Sequence, residues 1–79
     1  MDKNTCVIKL NTIDKVKDFV SRVSTFDCDV DILYGRYIID GKSIMGIFSL
    51  DLTSPVTVLI HTDDYDELKR FFKMMEDFK

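Results

Sequence analysis

The sequence predicts a two-layer α+β domain, with a mostly antiparallel four-stranded sheet covered by helices on one face. Three observations carry that expectation. Two long segments repeat apolar residues at helical spacing. Four short segments alternate apolar and polar residues or are rich in β-branched ones. Turn and cap residues separate them in the order β-α-β-β-α-β-α. A chain of 79 residues supports one core of this kind, so residues 1–79 are expected to form a single domain.

The elements follow in order. Thr5–Leu10 places Cys6, Ile8 and Leu10 on one side and reads as a strand. Thr12 is the natural N-cap of the first helix, whose apolar side holds Ile13, Val16, Val20 and Val23, joined by Phe19. Val30, Ile32 and Tyr34 alternate with Asp29, Asp31 and Leu33 as a second strand. A hairpin turn at Tyr34-Gly35-Arg36 leads into a third strand over Arg36–Ile39. Ser43 caps a short apolar helix, Ile44–Leu50, which the breaker Ser54-Pro55 follows. Val56–His61 is the fourth strand. Thr62-Asp63-Asp64 opens the last helix, with a stripe of Tyr65, Leu68, Phe71, Phe72, Met75 and Phe78. The other sheet face is expected to meet water.

Composition removes several function classes. Eleven basic residues against fourteen acidic ones give a net charge of −3, which argues against a nucleic-acid-binding surface. Apolar runs are only a few residues long, so no membrane span is expected. The start MDKNTC lacks the apolar stretch of a secretion signal, and two cysteines are too few for a disulfide scaffold; a cytoplasmic chain with reduced thiols is expected. Cys6 reads as a core residue. Cys28, between Asp27 and Asp29, is expected to have a raised thiol pKa. Asp27, Asp29 and Asp31 have a superficial calcium-loop spacing but lack the glycine and distal glutamate of such loops, and a solvated strand face is expected rather than a metal site. No cofactor is implied. With one histidine, His61, and no convergent acid, base and nucleophile, a free-standing enzyme is not expected.

The segment Lys42-Ser43-Ile44-Met45-Gly46-Ile47-Phe48-Ser49-Leu50 is more specific. It resembles the regulatory-serine segment of the HPr family, the small phosphocarriers of the bacterial phosphoenolpyruvate:sugar phosphotransferase system, in which the pattern is close to K-S-I-M-G-x-x-S-L. Length, element order and the acidic start of the last helix are similar over essentially the whole chain. The resemblance implies an open-faced β-sandwich with the fourth strand antiparallel beside the first.

The family carries phosphate on a histidine within G-[LI]-H-A-R-P at the start of the first long helix. Matched through Phe19-Val20, Thr12 stands in the histidine position, Asp14 in the arginine position, Lys15 in the proline position and Leu10 in the glycine position. A threonine hydroxyl is not poised as a nucleophile near neutral pH, and Asp14 sets a like charge against a phosphoryl group. His61 ends the fourth strand, far from Thr12 in that topology, and reads as an ordinary strand-end imidazole.

The resemblance implies that Ser43 is the target of an ATP-dependent HPr kinase. It further implies that Ile44, Met45 and Phe48 form an apolar docking patch for the kinase or for a transcriptional regulator of carbon catabolism. Ile47 and Leu50 are expected to face inward. The reading is a regulatory protein-binding module with no histidine phosphocarriage. The alternative is a phosphoryl-transfer component with a non-standard acceptor, Thr12 or His61.

Overall fold

A computed structural model describes residues 4–79. Its elements are β1 (Thr5–Ile8), α1 (Ile13–Val23), β2 (Val30–Tyr34), β3 (Tyr37–Asp40), α2 (Ile44–Phe48), β4 (Val56–Ile60) and α3 (Tyr65–Met75), followed by a single 3-10 turn at Glu76–Phe78. The strands lie in the order β1-β4-β2-β3, and every neighbouring pair is antiparallel. This is the α+β open-faced sandwich the sequence predicts.

Alternation sets the layers. The register row Cys6–Val58–Ile32–Ile39 faces the helices, and Ile8, Val30, Val56 and Ile60 join it inside. The helices answer with Val16, Phe19 and Val23 from α1, Ile47 from α2, and Phe71 and Met75 from α3. Edge-to-face rings tie this layer together, Phe19 with Phe78 and Phe26 with Phe71. Arg22 clasps the helices from outside: its guanidinium donates to Asp18, to Asp77 and to the Met74 carbonyl, and it stacks over Phe78.

Five element limits differ from the sequence reading, each for a local reason. β1 stops at Ile8 because the Lys9 N–H bonds the Phe78 carbonyl instead of β4. β3 begins at Tyr37 because Gly35, with φ of 59°, and Arg36 form a two-residue turn. α2 ends at Phe48 because the Ser49 N–H and Oγ both donate to the Gly46 carbonyl and close the last turn. β4 ends at Ile60, since His61 donates its N–H to the Asp29 carbonyl beyond the ladder. α3 stops at Met75, and Phe78 reaches the core from the 3-10 turn.

Two apolar-stripe residues are corrected as well. Ile13 and Tyr65 are 63% and 74% exposed. Both are first residues of their helices, so helical spacing carries them past the edge of the sheet they would otherwise cover. Both cysteines are free, and burial raises the thiol pKa of each. For Cys28 burial outweighs the acidic neighbours Glu67 and Asp29.

Candidate functional site

Two hydroxyl-capped helix starts hold the residues singled out by the sequence. At α1, Thr12 has extended backbone, and its Oγ1 accepts the Lys15 N–H at 3.1 Å while its carbonyl accepts from Val16. The hydroxyl therefore satisfies one of the orphan donors of the helix. Asp14 is exposed in the first turn, and the Lys15 ammonium reaches the Asn11 side chain at 3.3 Å. Thr12 and Asp14 thus bring a cap and an acidic side chain to this corner, with no imidazole or guanidinium contributed by either.

At α2, Ser43 also has extended backbone, and its Oγ accepts the Gly46 N–H at 3.3 Å. The turn before it is fixed by Asp40, whose Oδ1 accepts the Lys42 N–H and whose carbonyl accepts the Ser43 N–H. Gly46 is needed for close approach: a Cβ there would lie 3.2 Å from Ile39 and 3.3 Å from the Ser43 hydroxyl. The Lys42 ammonium donates to the Phe26 carbonyl at 2.7 Å, so it braces the loop before β2.

The short helix divides its apolar residues. Ile47 is fully buried, and Ile44 and Leu50 pack half-buried against the core. Met45 is 76% exposed and Phe48 40%. Of the three docking residues expected from the sequence, Met45 and Phe48 present their side chains to solvent, whereas Ile44 is divided between core and surface. Exposed Ile13, on α1 that packs against α2, is a surface apolar residue the sequence reading missed.

His61 lies elsewhere. It follows β4 at the end opposite to Val56, which pairs with Ile8, the residue leading toward Thr12. Its Nε2 is 2.7 Å from Asp31 Oδ2. That partner was not legible, because it depends on the β2–β4 register. Among the described residues, no three His, Cys, Asp or Glu side chains gather to hold a metal ion, and no helix is long and apolar enough to cross a membrane. A cavity of about 510 Å³ opens along α3, lined by Asp63, Tyr65, Leu68, Lys69 and Phe72. None of the residues expected to carry function lines it.

Comparison with known proteins agrees with this fold. Residues 15–78 match the family model described as "PTS HPr component phosphorylation site", a match that begins three residues after Thr12. Among solved structures, HPr-C-His from Thermoanaerobacter tengcongensis is similar at a TM-score of 0.73 and 24% identity, covering 98% of this chain and 93% of that one. A phosphocarrier protein HPr from Bacillus anthracis str. Ames is similar at a TM-score of 0.73 and 21% identity, covering 95% of each. No curated protein matches the sequence.

Proposed function

The chain belongs to the HPr family of the phosphotransferase system, and from that premise we propose that it is a cytoplasmic regulatory module that binds other proteins through α2 and does not carry phosphate on histidine. One observation carries the reading. Ser43 caps a helix whose Met45 and Phe48 stand in solvent, while the hydroxyl of Thr12, the residue that the match through Phe19-Val20 sets at the family's histidine position, is used as a cap.

The chemistry at Ser43 suits modification. A phosphoryl group on its Oγ would sit where the first N–H groups of α2 point and where the helix dipole is positive, so it adds charge while the helix persists. The apolar pair Met45 and Phe48 lies within the next turn. A kinase or regulator of carbon metabolism would therefore read a charge and a flexible hydrophobic contact side by side. In this reading the protein is a substrate and ligand of other proteins, not an enzyme, and needs no cofactor.

The test uses two phosphoryl donors. With HPr kinase and ATP, stable phosphate is expected on Ser43, and Ser43→Ala removes it. With phosphoenolpyruvate and the first enzyme of the phosphotransferase system, no acid-labile label is expected. Absence of label at Ser43, together with no binding to a catabolite regulator, would remove the main support. The second reading, transfer through a non-standard acceptor, is favoured by one contact: Asp31 holds Nε2 of His61, whose ring is about half exposed. An acid-labile phosphate mapped to His61 would establish it.

A further inference from the structure

The two edges of the sheet are finished differently. On the β1 edge the C-terminal turn closes in, and the Lys9 N–H donates to the Phe78 carbonyl at 2.7 Å. The other edge is β3. There the Gly41 N–H donates to the Val30 carbonyl at 2.7 Å, which makes Val30 and Gly41 a hydrogen-bonded pair of the ladder. Alternation then points the backbones of Tyr37 and Ile39 at β2 and turns the N–H and C=O of Ile38 outward. No described residue bonds either group.

The side chains leave this edge bare as well. Tyr37 is 59% exposed on the helix-facing side. Ile38 is 69% exposed on the uncovered side, where it ends the row Val7–Thr57–Leu33–Ile38. Sheet edges are ordinarily blunted by lysine, proline, a bulge or a covering segment. Tyr37-Ile38-Ile39 contains no lysine or proline, and its register with β2 has no bulge.

We propose that β3 pairs with β3 of a second copy of the chain, antiparallel about a two-fold axis at Ile38, so that the two sheets continue as one. Outward backbone groups on an edge are matched by another extended strand. In this register the two copies of Ile38 exchange both bonds, each N–H donating to the other carbonyl. Tyr37 comes beside Ile39 of the other copy on the helix-facing side, and Ile38 meets its own copy on the uncovered side. Aromatic and β-branched residues are favoured cross-strand neighbours. No like charges stand opposite, because Arg36 and Asp40 take the paired end positions.

The adjacent registers are poorer. An axis at Tyr37 draws Gly35, with its left-handed backbone, into the ladder. An axis at Ile39 sets Ile38 opposite Asp40 and routes every exchanged pair through Asp40, whose carbonyl already accepts the Ser43 N–H. The strand is therefore self-complementary in one register, as a two-fold contact requires. One strand of four residues on each side makes the association weak and reversible. This inference does not depend on the proposed function.

Sedimentation velocity on the full chain, from roughly 10 μM to roughly 1 mM, should show a reversible monomer–dimer equilibrium. Over that range the Ile38 amide should gain about tenfold protection from hydrogen exchange. Ile38→Pro removes the outward N–H without touching the β2–β3 ladder, and should abolish association with an unchanged circular dichroism spectrum. Ile38→Glu and Ile38→Lys should each raise the Kd about tenfold, because each sets like charges opposite in the dimer. An equimolar mixture of these two should recover association, since the exchanged charges meet when position 38 faces position 38. If Ile38→Pro misfolds, the mixture decides, because a folding defect is not rescued by mixing. Val7→Glu, on the same sheet face but the opposite edge, should leave the dimer intact. A wild-type chain monomeric throughout, association by a folded Ile38→Pro variant, no recovery in the mixture, or loss of the dimer with Val7→Glu would overturn the proposal.

Discussion

The two hydroxyl-capped helices differ in what holds them. α1 has eleven residues, buries Val16, Phe19 and Val23, and is clasped through Arg22 to the C-terminal turn. α2 has five residues and buries only Ile47 completely, relying on the Ser43 cap, the Ser49 closure and the Asp40 turn. The same cap chemistry thus starts a helix committed to the core and a helix committed to the surface. In an HPr-family chain the contrast is informative. Thr12, which the resemblance sets at the phosphohistidine position, serves as a helix cap, while Met45 and Phe48 beside Ser43 face solvent.

The largest expected effect comes from exchanging the chemistry of the α1 start. Thr12→His combined with Asp14→Arg supplies an imidazole and a phosphate-binding donor at an exposed corner. Label from phosphoenolpyruvate should rise from background to a mapped, acid-labile phosphate on the new imidazole. Phosphorus NMR distinguishes that adduct from a serine ester. If the wild-type chain already takes up acid-labile phosphate, the contrast between the two helix starts is broken.

Truncation separates the helices next. Phe19→Ala removes a fully buried ring of α1 and should cost about 3–5 kcal/mol in urea unfolding. Met45→Ala, on the exposed side of α2, should stay within about 0.5 kcal/mol while weakening partner binding. Ser43→Ala falls between them at about 1 kcal/mol, from the lost cap alone. A Met45→Ala cost comparable to that of Phe19→Ala would show that α2 is core after all.

These assignments divide along what a one-dimensional pattern contains. Period and cap chemistry name Thr12, Ser43 and Asp64 as helix starts or their neighbours, because capping is local in sequence. The strand order was expected only through the family resemblance, and the register then decides what alternation leaves open. Asp31 meets His61 only because β2 lies beside β4. Val7, Leu33 and Ile38 each read as single apolar residues in different strands, and only the register unites them into one row. Ile13 and Tyr65 fail for the opposite reason. Their spacing is helical, yet their exposure depends on where the sheet ends.

The smallest expected effect is acid sensitivity in the loop after α2. The Asp51 Oδ1 accepts from the Thr53 hydroxyl at 2.7 Å and from the Thr53 N–H at 3.1 Å, and these bonds hold its carboxyl below the usual pKa. A carboxylate with a depressed folded pKa stabilises the native state above its unfolded pKa. That contribution disappears as pH falls through the folded value. Asp51→Asn should therefore lower the urea midpoint slightly near neutrality and leave it unchanged in acid below the folded value, which flattens the decline between them. The group is fully exposed, so the shift should be slight. Amide exchange gives the sharper readout, because local opening depends on local contacts. On acidification the amides of Ile44–Phe48 should lose protection before those of Val16–Val23, and equal loss in the two helices would mean that both ends of the comparison share one cooperative unit.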